Sequence, residues 1–314
     1  MAVAIKESEP LARHTVFRIG GPARFFVTAD TRDDFTAVLK AAGSSGLPWM
    51  ILGAGSNMLV SDRGFPGMVV RPMGGEVRAS GSRVTADAAV PMARVVAEAL
   101  AKGLRGFEWA IGVPGTIGGS VRGNAGCFGG EMQDVVRSVT IFDTASGNIE
   151  EWSADAAEFG YRDSIFKRRP ELVILAATLG LQAGDPLEGQ RRVREYTAHR
   201  AKTQDIGLQS AGCAFKNVPW SRRDVDKETL IRRFPEFSGF HAHLGIPAGF
   251  LVDRVGLKGR QIGRAKISER HGNFFLNTGG ASAEEVIMLA GLVKEHVHRR
   301  YGLLLEEEIQ YIGF

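Results

Sequence analysis

The feature that most restricts the fold is a glycine-rich segment at residues 103–131, which reads GLRGFEWAIGVPGTIGGSVRGNAGCFGGE. It lacks the apolar spacing of an amphipathic helix, and it is too hydrophobic for a flexible linker. The chain has 40 glycines in 314 residues, and they cluster here instead of spreading evenly. Because glycine allows backbone to approach a ligand closely, this glycine run predicts ordered, non-helical backbone wrapped around a bound molecule.

A second glycine turn occupies residues 53–57 and directly follows a predicted strand. It contains Gly53, Ala54, Gly55, Ser56 and Asn57, whose amides and side chains suit a phosphate group. It lacks the third glycine and the following helix of the Rossmann fingerprint. Taken alone it is equally compatible with a plain tight turn. Two separate glycine loops, however, suit a long cofactor that contains a diphosphate.

The remaining pattern alternates strands and helices, as in an α+β protein. Thr31 with Asp34 predicts a helix start, Ser282 with Glu285 a capping box, and Gly103 and Gly302 predict helix ends. The predicted strands are 25–27, 49–52, 68–70, 135–143, 172–181 and the tail 303–313, with a hairpin at 76–89 and a strand start at 213–215. The predicted helices are 31–42, a helix from Pro91 to Gly103, a basic helix at 188–202, and a long helix from Ser282 to Gly302.

Composition excludes several classes of protein. The net charge of +4 favours anionic small molecules and is too small and diffuse for a nucleic-acid binder. Cys127 and Cys213 have no partner spacing typical of a zinc site, and a disulfide framework is not expected. Residues 1–10 lack a signal-peptide core, and no stretch approaches the roughly 18 apolar residues of a membrane span. We therefore expect a cytoplasmic protein without a metal.

Six short motifs occur in one order along the chain. They are His14-Thr15-x-Phe17-Arg18-Ile19-Gly20-Gly21, the 53–57 turn, residues 112–131, Tyr161-Arg162-x-Ser164-x-Phe166, Gly212-Cys213-x-Phe215-Lys216-Asn217 and Leu305-Glu306-x-Glu308. Together they resemble the UDP-N-acetylenolpyruvoylglucosamine reductases of peptidoglycan precursor synthesis, over nearly the whole chain. The short distance from Tyr161 to Cys213 resembles the type II form of that family.

The resemblance implies an FAD-binding fold of the vanillyl-alcohol oxidase (PCMH) type plus a substrate domain. The first FAD subdomain would be 1–72, with the tail strand 304–314 returning to it, and the second 73–200. The substrate domain would be 201–303. The implied enzyme serves cell-wall synthesis, and thereby cell shape and division, and we expect it to be a monomer. NADPH would reduce FAD, and a UDP-linked enolpyruvyl ether would then accept hydride at its distal vinyl carbon.

That reaction needs a group to stabilise the substrate carboxylate and a proton donor. Arg162 matches the family's catalytic arginine, and its planar fork suits a carboxylate. The alternative for Arg162 is a surface salt bridge. Glu308 matches the family's terminal glutamate, the alternative being an edge-strand charge that discourages aggregation. Glu306 and Glu307 are interpreted as such edge charges.

Cys213 stands where the family usually has a proton-donating serine. A thiol, with a reference pKa of about 8.5, is the stronger acid and remains a reasonable donor. Its sulfur is larger and forms weaker hydrogen bonds, and cysteines are often buried without function. The flanking Gly212, Phe215 and Lys216 favour the catalytic role.

The resemblance also implies binding residues. Tyr161 is a candidate for substrate contact, and Lys216 and Asn217 are candidates for contact with the substrate or the nicotinamide. Arg200 and Lys202 could meet a diphosphate or lie on a solvated helix face. The cofactor candidates are Gly53, Ala54, Gly55, Ser56, Asn57, Gly112, Pro114, Gly115, Thr116, Gly118, Gly119, Asn124 and Gly126. Two other functions remain open, namely a flavin oxidase of the same fold and a catalytically silent nucleotide-binding module.

Overall fold

The structure, a computed structural model, describes residues 3–205 and 207–314. Met1 and Ala2, at the start of the predicted first subdomain, and Ile206, in the predicted substrate domain, lie outside the described residues. The chain forms two compact units, the first from its start to Glu9 with Ala23–Gly55 and Phe65–Lys202, the second from Pro10–Pro22, Ser56–Gly64 and Thr203–Phe314. The division into three parts stays a prediction.

The strands, in chain order, are β1 (Ile5–Pro10), β2 (Pro22–Ala29), β3 (Trp49–Ile51), β4 (Met58–Val60), β5 (Phe65–Pro72), β6 (Val77–Ser80), β7 (Arg83–Asp87), β8 (Leu104–Arg105), β9 (Gly126–Cys127), β10 (Gly130–Glu131), β11 (Val136–Asp143), β12 (Ile149–Ser153), β13 (Leu172–Gly180), β14 (Gln182–Ala183), β15 (Val218–Pro219), β16 (Gly245–Ile246), β17 (Gln261–Ile262), β18 (Ala265–Ile267), β19 (Phe275–Asn277) and β20 (Gln310–Ile312). The α-helices are α1 (Arg32–Ser44), α2 (Met92–Ala101), α3 (Ile117–Arg122), α4 (Met132–Val135), α5 (Ile165–Arg168), α6 (Pro186–Thr203), α7 (Lys227–Arg233), α8 (Ala248–Arg254) and α9 (Ala283–Tyr301). Short 3-10 turns lie at Leu11–Arg13, Glu108–Gly112, Asp155–Ala157 and Pro235–Phe240.

The first unit contains two larger sheets. One has the order β1-β2-β5-β3, with β5 parallel to both β2 and β3. The other is an antiparallel sheet of order β12-β11-β13-β7-β6, in which β6 and β7 form the hairpin predicted at residues 76–89. The other strands predicted between residues 25 and 181 also form, within a few residues of their expected limits.

Helix α1 shows how the sequence pattern produces this packing. Thr31 Oγ1 accepts a hydrogen bond from the Asp34 amide at 3.0 Å, which caps the helix as predicted. The spacing of Phe35, Leu39 and Ala42 buries one face of α1, where Phe35 and Leu39 share a core with residues of β11 and β13. The same core includes Ala29 of β2 and Val70 of β5, so the apolar face of α1 packs where the two sheets of this unit meet.

The second unit is organised around α9. Ser282 and Glu285 form the predicted capping box, and Gly302 ends the helix with a φ of 72°. The buried face of α9 includes Val286, Leu289, Val293 and Val297, and it packs in one core with residues of the sheet β17-β18-β19. Strand β20 pairs in parallel with β4.

The glycine run departs from the prediction of non-helical backbone. Its residues Ile117–Arg122 form helix α3, because Thr116 caps the amide of Gly119 and Ile117 and Val121 are buried four residues apart. The sequence prediction was wrong here because α3 has only six residues, and a single pair of buried residues four positions apart is too short to show helical periodicity.

Two predicted strands are shorter than expected. The tail is a strand only at β20, because residues 306–308 pair instead with the segment around Phe215. The Lys216 amide donates to the Glu306 carbonyl, and the Glu308 amide donates to the Ala214 carbonyl, each at 2.8 Å. For the same reason the strand start predicted at 213–215 is a pair of isolated bridges, Cys213 with Phe274 and Phe215 with Glu307.

Candidate functional site

The first unit holds the glycine run, and its glycines have different causes. A Cβ atom on Gly53 would lie 2.9 Å from Thr116 Oγ1, and one on Gly112 would lie 2.2 Å from Arg200 Cδ. Similar conflicts arise within the protein at Gly118, against Ala88, and at Gly126, against Glu131 and Gly130. Gly53, Gly118 and Gly126 therefore need glycine for packing alone, whether or not a ligand approaches them, whereas the flexible end of the Arg200 side chain can move away from a Cβ at Gly112.

Gly119 is different. A Cβ there would meet only Thr116 Oγ1, at 3.6 Å, and the residue lies in α3 without a left-handed backbone. Since alanine is the better helix former, protein packing gives no reason for glycine at this exposed position. Close approach of a ligand would give such a reason, and this fits the predicted cofactor contact at Gly119.

The rest of the run is fixed by backbone hydrogen bonds. The amides of Ile117 and Gly118 donate to the carbonyls of Val90 and Ala88, each at 2.9 Å, and the Gly115 carbonyl accepts from the Met92 amide at 3.1 Å. Pro114 is exposed beside them. The polypeptide on either side of Thr116 is thus held rigidly, as a cofactor cradle requires.

Asn124 is a structural centre of the run. Its side chain is fully buried, donating to Gly160 carbonyl at 2.8 Å and to Glu131 at 3.0 Å while accepting from the Gln133 amide at 3.0 Å. Its backbone has a φ of 42°. A cofactor would have to break these bonds to contact the Asn124 side chain. The predicted cofactor contact is therefore more compatible with the backbone of Asn124.

Arg162 lies at the tip of a tight turn. Gly160 and Asp163 exchange two backbone hydrogen bonds of 3.0 and 3.1 Å, and Arg162 adopts a φ of 55°, which is uncommon for a residue with a side chain. Its guanidinium lies 5.3 Å from the centre of the Tyr161 ring. Strained backbone of this kind is often found at functional positions.

The Arg162 side chain is largely buried and is oriented by the glycine run. Its Nη2 donates to the Gly126 carbonyl at 2.9 Å, whereas Glu131 Oε1 is 4.0 Å from Nη1, at the limit for an ion pair. With only 20 % of the side chain exposed, Arg162 does not fit the alternative of a surface salt bridge. The Gly126 carbonyl thus helps to orient the guanidinium.

Helix α6 packs on the same run. Its Tyr196 stacks on Phe128 with ring centres 4.4 Å apart, and Arg200 Nη1 lies 3.7 Å from Cys127 Sγ. Burial raises the pKa of the Cys127 thiol, and the positive charge of Arg200 partly opposes that rise. The contact with Cys127 argues against the alternative that Arg200 lies on a solvated helix face.

The second unit holds the other predicted site residues. Ser56 and Asn57 belong to it, although Gly53 to Gly55 belong to the first unit, and Gly55 has a φ of 63° that glycine adopts without strain. Asn57 Nδ2 donates to the Glu308 carbonyl at 3.1 Å, and the Asn57 carbonyl accepts from the Gln310 amide at 3.0 Å. Asn57 therefore holds the tail, a role that the sequence did not indicate.

Cys213 and Glu308 are brought close by backbone pairing. Gly212, with a φ of 79°, turns the chain into the half-buried Cys213, and Glu308 pairs with the next residue, Ala214, at 2.8 Å. The two predicted catalytic residues of this unit therefore lie on neighbouring backbone segments, although 95 positions separate them in the chain.

The neighbours of Cys213 have partners within the protein. Lys216 Nζ lies 3.2 Å from Glu306 Oε2, and Glu307 Oε1 accepts from Lys294 Nζ at 2.9 Å. Glu306 and Glu307 are thus paired charges rather than the bare edge charges expected. Asn217 Oδ1 accepts from the Ala248 amide at 3.0 Å, at the start of α8.

Asn273 is a residue whose importance the sequence did not indicate. It is 2 % exposed and makes two side-chain hydrogen bonds to the backbone of Phe215. The described residues contain no cluster of three or more His, Cys, Asp or Glu placed to hold a metal ion. In the same described part of the chain, no helix has the length and apolar composition needed to cross a bilayer.

Comparison with known proteins identifies the family. The profile of an FAD binding domain matches residues 23–153, and that of the C-terminal domain of UDP-N-acetylenolpyruvoylglucosamine reductase matches residues 203–312. UDP-N-acetylenolpyruvoylglucosamine reductases from Geobacter metallireducens and Synechococcus sp. are 36% and 38% identical, each over 98% of this chain and 94% and 91% of their own lengths.

A solved structure gives the same answer. The crystal structure of UDP-N-acetylenolpyruvylglucosamine reductase from Thermus caldophilus superimposes with a TM-score of 0.76 at 32% identity, covering 99% of both chains. With the FAD-binding match, it confirms the predicted α+β FAD-binding fold. The chain is a member of the UDP-N-acetylenolpyruvoylglucosamine reductase family of FAD-dependent oxidoreductases.

Proposed function

We propose that this protein reduces the enolpyruvyl group of UDP-N-acetylglucosamine enolpyruvate to UDP-N-acetylmuramate, with NADPH as the electron donor. The single observation that carries the proposal is the likeness to reductases of that name over almost the whole chain. The reaction would serve peptidoglycan synthesis in the cytoplasm, and thus cell shape and division. We expect the enzyme to act as a monomer.

The residues of the first unit fit FAD. Gly119 offers a position where glycine has no packing cause, and the backbone on either side of Thr116 is pinned by hydrogen bonds. In the proposal this segment and the 53–57 turn hold the cofactor. When bound, FAD would pass the two electrons of NADPH to the double bond of the substrate.

Arg162 is proposed to bind the carboxylate of the enolpyruvyl group. Negative charge grows on that carboxylate when hydride adds to the distal vinyl carbon, and a guanidinium held in place needs no reorganisation to stabilise it. Its carbonyl contacts and its position beside Tyr161 support this role. Tyr161, Lys216 and Asn217 remain candidate substrate contacts.

Cys213 is proposed to give the proton that the adjacent carbon requires, and Glu308 to hydrogen-bond the enolate-like centre. The thiol hydrogen would form the new C–H bond, leaving a thiolate to be reprotonated from solvent. The support is the rigid pairing that places Glu308 beside the residue following Cys213.

An anaerobic two-step assay tests the proposal. NADPH should bleach the flavin of the purified holoenzyme, and the enolpyruvyl sugar nucleotide should restore its colour while forming UDP-N-acetylmuramate. Reoxidation by oxygen with no response to the sugar nucleotide would point to an oxidase instead. Absence of any bleaching would leave a silent nucleotide-binding module.

A further inference from the structure

We infer that Asn273 is a positioning residue that sets the location of the Cys213 thiol. The inference extends the proposed function, because it takes Cys213 as the proton donor. It rests on the hydrogen bonds that the described residues make around Phe215.

The Asn273 side chain pairs with a backbone as a neighbouring strand would. Its Oδ1 accepts from the Phe215 amide at 2.9 Å, and its Nδ2 donates to the Phe215 carbonyl at 2.7 Å. Its own carbonyl accepts from the Ala214 amide at 2.7 Å. One buried residue thus satisfies three of the four backbone polar groups of Ala214 and Phe215, the two residues directly after Cys213.

The other edge of the same segment is held by the tail. The Ala214 carbonyl accepts from Glu308 and the Lys216 amide donates to Glu306, each at 2.8 Å. Residues 214–216 are therefore clamped from both sides, with Asn273 opposite Glu308. On the N-terminal side the Gly212 amide donates to Ser210 Oγ at 3.2 Å, and Cys213 itself bridges to Phe274, so Cys213 leads directly into the clamped segment and its backbone is coupled to it.

An apolar side chain of similar size could fill the space of Asn273 but could not make its two hydrogen bonds to Phe215. Its two ends differ in polarity, since one accepts and the other donates. Loss of either bond would leave a buried backbone group of Phe215 unpaired, and small displacements of a catalytic group are costly.

Asn273→Asp separates these two bonds. The carboxylate still accepts from the Phe215 amide but repels the Phe215 carbonyl, whereas the protonated acid can donate as the amide did. Burial raises the pKa of such a carboxyl, so the neutral form should be reached at moderately acidic pH. Ionisable side chains on the contacting segments are Cys213, Lys216 and His271, with Glu306, Glu307 and Glu308 on the tail; they are shared with the wild type, whose profile is the baseline.

The matched control is Asn277→Asp. Asn277 is also buried, at 7 % exposure, and its Nδ2 also donates to a backbone carbonyl, that of Phe17, at 3.0 Å. It makes no described side-chain bond to the segment after Cys213. Both variants introduce a buried acid into the same unit, so a general loss of stability should affect them alike.

The test measures the two half-reactions of the holoenzyme and the alkylation of Cys213 by iodoacetamide in a Cys127→Ala background. At pH 8, Asn273→Asp should slow substrate-driven flavin reoxidation about tenfold or more, leave reduction by NADPH near the wild-type rate, and change the alkylation rate. Lowering the pH should restore reoxidation relative to the wild type. Asn277→Asp should do none of these.

Equal behaviour of the two variants in both measurements would overturn the inference. Failure of the wild type to be reoxidised by the sugar nucleotide would overturn the proposed function instead. In that case the alkylation rates would still decide whether Asn273 positions the thiol.

Discussion

Replacing Gly119 by alanine should strengthen the protein fold and weaken flavin binding at the same time. The added Cβ meets only Thr116 Oγ1, at 3.6 Å, which is an ordinary contact distance. Gly119 lies in α3, where alanine is favoured over glycine by about 0.5–1 kcal/mol. The melting temperature of the apoprotein should therefore rise by about 1–3 °C.

The effect on the cofactor has the opposite sign. If FAD fills the space in front of Gly119, one methyl group overpacks that contact at a cost of about 1–3 kcal/mol. The Kd for FAD should then rise by about 5- to 150-fold. Gly119→Val, which is larger and disfavoured in helices, should lose the flavin on purification while much of the fold remains.

Two neighbours serve as controls in the same assays, which are thermal unfolding of the apoprotein and titration of that apoprotein with FAD. A Cβ on Gly123 would lie 3.5 Å from the Gly119 carbonyl, so Gly123→Ala should leave both readouts nearly unchanged. A Cβ on Gly118 would lie 2.9 Å from that of Ala88, so Gly118→Ala should lower the melting temperature. Wild-type FAD affinity in Gly119→Ala would refute the placement of the cofactor.

Three further results are expected from the site. Arg162→Ala should slow flavin reoxidation by the enolpyruvyl substrate about a hundredfold or more and change reduction by NADPH little, since only the former builds charge on a carboxylate; Glu308→Gln should show the same asymmetry. Cys213→Ala should keep flavin binding and NADPH oxidation but lower turnover by about two orders of magnitude or more, whereas Cys213→Ser should retain substantial activity. Arg200→Gln should move the alkylation profile of Cys127 to higher pH, because the cation that opposes the burial-raised pKa of this thiol is lost.

Each of these has a control and a contrary outcome. Glu307→Gln, which removes a partly exposed ion pair with Lys294, should be nearly silent in both half-reactions. Arg194→Gln, at an exposed position on α6, should leave the Cys127 profile unchanged. Equal losses in both half-reactions for Arg162→Ala, or native reoxidation in Cys213→Ala, would assign these residues a structural role.

Local sequence determined the elements whose signals are local. The cap at Thr31, the capping box from Ser282 to Glu285 and the helix end at Gly302 each form where predicted, because each depends on contacts within a few residues. The family also followed from sequence, since six short motifs in one order are specific in combination. Their order requires no knowledge of the packing.

The sequence could not predict the packing contacts and hydrogen bonds that form between segments far apart in the chain. Gly118 was predicted as a cofactor contact, and that stays a prediction, but packing against Ala88 is a separate cause for glycine there that no local pattern indicated. The tail was predicted as one strand because its alternation is regular, but residues 306–308 find backbone partners 90 or more positions away.

The clamp on Cys213 is the clearest case of this limit. Asn57, Asn273 and Glu308 are far apart in the chain, and none carries a local signal for the backbone it holds. Local patterns report the propensity and burial of each residue, whereas a hydrogen-bond partner is fixed only when chain segments meet. Sequence alone therefore identified the family, and the tertiary structure decided which residues hold the segment after Cys213 in place.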